Sequence, residues 1–337
     1  MRVAEFASLT GPAGVAVTDR DDPEPSPEEA LVDVHATSLN RHDLRVLQNE
    51  SDYVDGTQVP FVSGLDLAGE VRAVGEAVTT VTPSDRVLLY PVLTCGRCRF
   101  CRDGPENQCR NLSLYHGAFA ERAVVRAADL VSLPDPVDPA SAAALPSAYV
   151  TAWRMLVRAG VTAGDRVLIP GATGGVGVAT VQLAGVRGAT TVGTSRSSAK
   201  AERLSGIGAD RTIVAGDSDE LAATVADCDP FDVVVDHLGG EYVGVGLDAL
   251  RTGGTMVLCG GTAGMEATIS VPSLYRSHAR ILGSSVGTKP DLERVLGLVQ
   301  DGDLSPVVDR EYPLAETERA FRALQAGDAV GKIVLRP

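Results

Sequence analysis

Residues 166–200, which read RVLIPGATGGVGVATVQLAGVRGATTVGTSRSSAK, constrain the fold of this chain more than any other stretch. An apolar run at 167–169 leads into a turn rich in glycine (Gly171, Gly174, Gly175, Gly177). A helical pattern follows on Val178, Val181, Leu183 and Val186, and a second short apolar run comes at 191–193. That order predicts a strand, a helix and a parallel strand, with glycines that let the backbone turn tightly and approach a pyrophosphate at the positive end of the helix. Glycines alone would also suit an ordinary strand-to-helix turn. Their place between a strand and a helix, with a second strand at the expected distance, is what points to a dinucleotide. Gly174, Gly175, Val176 and Gly177 are therefore candidate cofactor contacts.

The residues just beyond the second strand set the coenzyme. Chains that bind NAD place Asp or Glu there to hold the adenosine ribose hydroxyls, and a carboxylate in that place repels a 2′-phosphate. Here the strand runs out into Thr194, Ser195, Arg196, Ser197 and Ser198, with Lys200 close behind, giving no acid, two cations and several hydroxyls. A guanidinium binds phosphate oxygens through two parallel hydrogen bonds, so Thr194, Ser195, Arg196 and Lys200 predict NADPH rather than NADH. The competing reading makes Arg196 and Lys200 solvated charges at a helix start.

A chain of 337 residues exceeds one ordinary core and predicts two domains. Its net charge of -14 offers no basic stripe to a polyanion and argues against nucleic acid as a partner. Only three lysines occur (Lys200, Lys289, Lys332), a pattern that fits a GC-rich genome or a salt-adapted cytoplasm. No charged-then-apolar leader and no apolar run long enough to span a bilayer are seen, so the expectation is a cytoplasmic protein acting on a small molecule, without a membrane partner.

From residue 1 to about 148 the texture is short β runs, at 15–17, 30–36, 68–74 and 86–90, broken by Gly and Pro. This predicts a compact, barrel-like β domain. Within it Cys95, Cys98, Cys101 and Cys109 stand in C-x2-C-x2-C-x7-C spacing among four arginines. Four thiolates in so short a loop match a closed tetrahedral zinc site that leaves no position for water or substrate, so one structural zinc per chain is expected there. Free or oxidised cysteines are the alternative. Of six cysteines, the remaining two, Cys228 and Cys259, lie in the second half and read as small core residues. The β domain thus has no cysteine left for a reactive zinc. Its histidines are His35 in an apolar strand, His116 at a turn, and His42 at a helix start; the spacing of His42, Asp43 and Asp66 permits a metal without requiring one.

Several motifs in order resemble the medium-chain alcohol dehydrogenase and quinone reductase superfamily almost end to end. They are Ser63-Gly64-Leu65-Asp66-Leu67-Ala68-Gly69-Glu70-Val71, Gly117-Ala118-Phe119-Ala120-Glu121, Ala148-Tyr149-Val150-Thr151-Ala152, the 172–177 loop and the closing Gly331-Lys332-Ile333-Val334-Leu335. The resemblance implies an α/β protein with a GroES-like β-barrel catalytic domain at 1–148, carrying the cysteine lobe at 95–109. It further implies a Rossmann doubly wound parallel sheet at 149–287, a return to the catalytic domain at 288–337, and a homodimer or homotetramer. It also implies a cofactor contact at Thr151. Where zinc-dependent members carry a ligand cysteine this chain has Asn40, their Gly-His-Glu is Gly64-Leu65-Asp66, and the third ligand cysteine corresponds to Ser147. By that resemblance the catalytic zinc is absent while the lobe is kept. Asn40 and Asp43 resemble the N-x-x-D of zinc-independent quinone and enone reductases.

The second half continues as alternating units: helix near 202–205, strand 211–215, helix 218–226 and strand 231–236, the last a near-continuous apolar run expected of a strand buried on both faces. His237, with Gly239 and Gly240, sits at its carboxyl end, where ligands bind in such sheets, and is a candidate cofactor contact. A strand at 255–258 leads to Gly260, and one near 281 to Gly283 and Ser284, which the resemblance places near the nicotinamide.

The expected function is an NADPH-dependent reductase of a quinone or of an activated carbon–carbon double bond, working without a catalytic zinc. Charge developing on a conjugated carbonyl oxygen would meet hydrogen-bond donors, with Asn40 and backbone amides as candidates. His42 and Tyr53 are the candidate proton donors, since an imidazole near neutral pKa suits that work. The alternatives are a zinc-dependent alcohol dehydrogenase with unusual ligands and a protein that binds NADPH without turnover.

Overall fold

The computed structural model describes residues 1–50 and 58–337, and the chain divides into two compact units: Met1–Ala148 with Thr288–Pro337, and Tyr149–Gly287.

The second unit is a six-stranded sheet, all parallel, with spatial order Arg211–Val214, Thr190–Ser195, Arg166–Ile169, Phe231–Asp236, Leu250–Leu258 and Arg280–Gly283. Central strands covered on both faces must be apolar on both, and Val167, Leu168, Ile169, Val233, Val234 and Val235 are all buried. Crossover helices supply the covering layers. Gly175–Val186 buries Val178, Val181 and Leu183 but leaves Val186 exposed, so the helical pattern read from sequence loses its last member to solvent. Ser218–Ala226 begins where Asp217 accepts a hydrogen bond from the Glu220 backbone, satisfying one orphan donor of its first turn. Chain order reverses between Arg166–Ile169 and Phe231–Asp236, which opens a crevice at their carboxyl ends.

Some elements run longer than their patterns suggest. The strand expected at 255–258 starts at Leu250, because Gly253 and Gly254 interrupt the apolar texture without ending the strand. The helix expected near 202–205 spans Ser198–Ile207, its polar residues facing water. Cys228 and Cys259 are only half-buried, at the margin of the core rather than inside it.

The first unit is built on a seven-stranded sheet in the order Val308–Pro313, Lys332–Arg336, Glu29–Ser38, Ala68–Val74, Arg86–Leu89 and Leu130–Ser132, with Arg122–Arg126 also paired to Glu29–Ser38. The last strand of the chain lies antiparallel to Glu29–Ser38, with Val334 opposite Ser38 and Leu335 opposite Thr37. That pairing carries Lys332 to the end of the strand where Leu39 and Asn40 begin. Phe6, Phe119 and Phe321 close the core beneath, the Phe321 ring meeting the other two edge-on at 5.6 and 5.8 Å. Such pairs add about 0.5–1.5 kcal/mol each beyond area burial. His35 is exposed on its strand.

Candidate active site and cofactor cradle

In the first unit the residues that correspond by resemblance to zinc ligands come together around one carboxylate. Asp66 is fully buried and accepts hydrogen bonds from the Ser38 hydroxyl, from Asn40 Nδ2 at 2.9 Å and from the Ser147 hydroxyl at 2.6 Å. Lys332 Nζ stands 3.4 Å from the same carboxylate and donates to Asn40 Oδ1 at 2.6 Å and to the Leu39 carbonyl at 2.8 Å. A buried ammonium persists only when paired and hydrogen-bonded, and Lys332 is both. Burial pulls its pKa down while Asp66 and Asp43 pull it up, and the balance lies below the ordinary lysine value. Ser38 belongs to none of the family motifs, and Lys332, though part of the closing motif, is given no place in the site by it.

The donor set decides whether a catalytic zinc fits. Such sites use thiolate, imidazole and carboxylate ligands with an open position. Here the carboxylate is saturated by hydroxyl and amide donors, its counter-charge is already supplied by Lys332, and neither a thiol nor an imidazole contacts it. Among the described residues the four lobe cysteines are the one group of His, Cys, Asp or Glu that could hold a metal. These residues offer neither the thiolate nor the imidazole of such a site, and among the described residues His42, Asp43 and Asp66 are not brought together as a ligand group.

Asn40 also begins the helix Arg41–Leu47, where Asp43 Oδ2 accepts from the Asn40 backbone at 2.9 Å. The other oxygen of Asp43 accepts from the Ser63 hydroxyl at 2.7 Å and from the Gly64 backbone at 3.2 Å. Burial raises the Asp43 pKa against these donors and the neighbouring His42. His42 is half-buried, its ring centre 5.3 Å from that of His116, and burial lowers its pKa, Asp43 opposing and Arg45 reinforcing the shift. Burial pushes His116 down to about 4, with His42 adding to the effect. His116 read as a turn residue; its neighbours His42 and Ser63 are far away in sequence, and only the fold shows the group. Tyr53 lies outside the described residues.

In the second unit the glycine-rich loop is stitched to the second strand: Gly171 N donates to Thr194 Oγ1 at 3.0 Å and Ala172 N to the Thr194 carbonyl at 2.9 Å. Gly177 has no room for a side chain, since a Cβ would lie 2.6 Å from Ala172 Cα. Gly174 differs: its φ of -75° suits any residue and a Cβ would meet nothing nearer than 3.8 Å of protein. Packing does not explain this glycine, whereas a ligand lying against the backbone does. Gly174 caps the helix without a side chain, leaving the first-turn amides of Gly175, Val176 and Gly177 for an anion.

Around this turn stand the other candidates. His237 follows Phe231–Asp236 with Nε2 4.0 Å from the position of a Gly174 Cβ. Its buried Nδ1 has no hydrogen-bond partner among the described residues, and burial lowers its pKa against Asp236 and the Gly171 backbone. Gly260, at φ 93°, would place a Cβ 3.3 Å from the His237 carbonyl oxygen. At Gly283 a Cβ would project into open space, and Ser284 N is bound to the Leu258 carbonyl at 2.8 Å. Thr151 is buried in the helix Val150–Ala159. Thr194 and Ser195 are buried at the carboxyl end of their strand; Arg196 beyond them is exposed and pairs with no carboxylate among the described residues, and Lys200 is half-buried. The orphaned His237 nitrogen, the uncapped helix and the unexplained Gly174 together fit a dinucleotide.

The lobe cysteines lie with their sulfurs all within 4.8 Å of one another, Cys98 to Cys101 at 3.4 Å and Cys95 to Cys101 at 3.9 Å. A tetrahedral zinc–thiolate site with bonds of about 2.3 Å has sulfur–sulfur edges of about 3.8 Å, so the four residues fit a structural zinc. Backbone amides of Arg97 and Cys98 bring the Cys95 thiol down to about 6. Glu106 in the same lobe accepts from the Lys289 backbone at 2.7 Å, tying the lobe to the start of the helix Lys289–Gln300.

Residues 26–135 match the family described as the alcohol dehydrogenase GroES-like domain, and residues 175–301 that described as zinc-binding dehydrogenase. An acryloyl-coenzyme A reductase of Metallosphaera sedula is 31% identical over 327 residues, 96% of this chain and 96% of that protein. A solved NAD-dependent alcohol dehydrogenase superposes with a TM-score of 0.92 at 33% identity, over 100% of both chains. The cobalt- and zinc-bound thermostable alcohol dehydrogenase from Pyrobaculum aerophilum does so with 0.89 at 31%, over 100% of this chain and 99% of that one. With its glycine-rich cradle, its parallel sheet and its lobe of four cysteines, the chain belongs to the medium-chain dehydrogenase/reductase superfamily of NAD(P)H-dependent oxidoreductases.

Proposed function

We propose that this protein is an NADPH-dependent reductase of carbon–carbon double bonds conjugated to a carbonyl, of the enoyl-thioester or enone kind, or of quinones, and that no zinc takes part in its reaction. The observation that carries the reading is the Asp66 cluster, in which Lys332 supplies the positive charge and Asn40 and Ser147 are engaged as hydrogen-bond donors. The relative named for acryloyl-coenzyme A reduction supports the substrate class. Arg196, exposed and without a carboxylate partner among the described residues, and nearby Lys200 support the 2′-phosphate form of the coenzyme, with Thr194 and Ser195 ending the strand beside them.

Bound reduced nicotinamide would supply the hydride. Without a Lewis acid, charge developing on the substrate oxygen must be met by oriented donors, which contribute about 3–4 kcal/mol each. Asn40 has one amide hydrogen held by Asp66 at 2.9 Å and the other only loosely by the Ser38 carbonyl at 3.4 Å, so the second is available to a stronger acceptor. Lys332 on the amide oxygen polarises that donor further. His42 is the proton donor in this reading: burial lowers its pKa and so makes its charged form a stronger acid than a free imidazolium. The four lobe cysteines would hold one structural zinc.

The test is the purified protein, treated with chelator, its metal content counted, and offered crotonyl and acryloyl thioesters, enones, quinones and alcohols. The reading expects one zinc per chain and chelator-resistant reduction, faster with NADPH than with NADH. Two zincs per chain with chelator-sensitive alcohol oxidation would replace it with the alcohol dehydrogenase reading that the solved relatives bring.

A further inference from the structure

The neighbouring rings of His42 and His116, tilted by 31° to each other, hold more machinery than a single proton donor needs. Ser63 Oγ donates its one proton to Asp43 at 2.7 Å, so towards His116 Nδ1, 3.3 Å away, the same oxygen can only accept. His116 is thereby fixed with its proton on Nδ1 and a lone pair on Nε2. Its ring is clamped between His42 at 5.3 Å and Phe61 at 5.0 Å, centre to centre. It also borders a surface cavity of about 220 Å³, lined by Met1, Val62 and Tyr115 and rimmed by the exposed Arg20.

We infer that His116 returns a proton to His42 in each turnover, shuttling it from water in this cavity, and that Ser63 and Asp43 fix the tautomer that allows it. The inference rests on the reading of His42 as the proton donor of a reductase. Each turnover consumes one hydride from the coenzyme and one proton from His42, forming two bonds to the former double bond and leaving oxidised coenzyme and deprotonated His42. A water of the cavity protonates His116 at Nε2 and leaves as hydroxide, which the solvent neutralises, and that proton passes on to His42, whose ring centre lies 5.3 Å away. The transient imidazolium is stabilised through Ser63 by the Asp43 carboxylate. The charged groups acting on the pair are Asp43 and Arg45 on the His42 helix, with Asp66 and Lys332 acting through Asp43; Arg20 and Arg122 line the cavity. His116 acts through His42, so it is a positioning and relay residue.

Two measurements decide. His116→Ala should lower kcat for NADPH-dependent reduction about 10- to 100-fold, leave the KM for NADPH in place and recover with added imidazole, which a purely structural role would not do. Selective ¹⁵N-histidine NMR of the wild-type protein should show His116 as the Nδ1–H tautomer, and Ser63→Ala should shift it to the Nε2–H form. Unchanged kcat in His116→Ala, reduced kcat without imidazole rescue in a folded variant, or an Nε2–H tautomer in the wild type each overturn the inference; if His116→Ala does not fold, the tautomer decides alone. Wild-type protein that reduces none of the acceptors ends the reductase reading and this inference with it, whereas wild-type turnover that His116→Ala leaves intact ends only the inference.

Discussion

Lys332 is held by three partners from two separate stretches: the Leu39 carbonyl and the Asn40 amide oxygen beside it, and the Asp66 carboxylate. Removing its ammonium leaves Asp66 a buried charge facing only neutral donors. Lys332→Met should therefore cost about 3–5 kcal/mol of stability, read as a lower denaturant midpoint with unchanged slope. Adding Asp66→Asn should restore most of that loss, because the neutral amide has no stranded charge. A double variant as unstable as the single one would show that Lys332 matters by packing alone. Sequence reasoning found Asn40, Asp66 and Ser147 because a family pattern marks those positions by what they lack. It missed Ser38 and Lys332, the latter 292 residues from Asn40, because a lysine before a closing strand looks like any solvated charge until the strand is paired.

The helix Lys289–Gln300 opens with two kinds of satisfaction for its orphan amides. Thr288 accepts from the Asp291 backbone at 3.2 Å and Asp291 returns a bond to the Thr288 backbone at 2.8 Å, while Glu106 reaches over from the cysteine lobe to the Lys289 backbone. Each cap is worth about 1 kcal/mol. Only the Glu106 cap depends on the lobe keeping its shape, so a zinc held by the four thiolates, as proposed, would support it. Glu106→Ala should lower stability by about 1 kcal/mol in zinc-loaded protein and by much less after chelation, whereas Thr288→Ala should cost the same in both states. Equal zinc dependence of the two variants in thermal unfolding would refute the coupling. The capping box was open to reading from Thr288 and Asp291, three apart before an apolar run. The Glu106 link was not, since local spacing says nothing of a partner 183 residues on.

At the scale of the molecule, buried histidines make acid the expected route to unfolding. The βαβ rhythm and the cysteine spacing revealed the two architectures, since both are local and periodic signals, but burial of His42, His116 and His237 depends on long-range packing and left no mark in the sequence. His116 keeps its folded pKa at about 4, against 6.5 when exposed. Between those values the unfolded chain binds a proton that the folded one refuses, so stability is intact above about 6.5 and falls as pH drops towards 4. The shift corresponds to about 3 kcal/mol when complete. His42 and His237 are lowered too and act with the same sign. Asp43 and Asp129 are raised by burial and act with the opposite sign, their folded forms taking up protons first as pH falls, so they offset part of the loss at its acid end. General charge repulsion also works against the loss, because acid reduces a net charge of -14. Asp22, Glu121 and Asp138 are held below their ordinary carboxylate values and add to the loss only at its acid end. A wild-type unfolding midpoint that begins to fall at about pH 7, in the transition of the unit containing His116, is therefore assigned to the histidines. His116→Gln, which keeps a polar group of similar size but cannot titrate, should flatten that slope while leaving stability near neutrality within about 1 kcal/mol. The same slope in both proteins would mean that His116 is protonated freely in the folded state and that its surroundings are wetter than the packing of Phe61 and His42 against it allows.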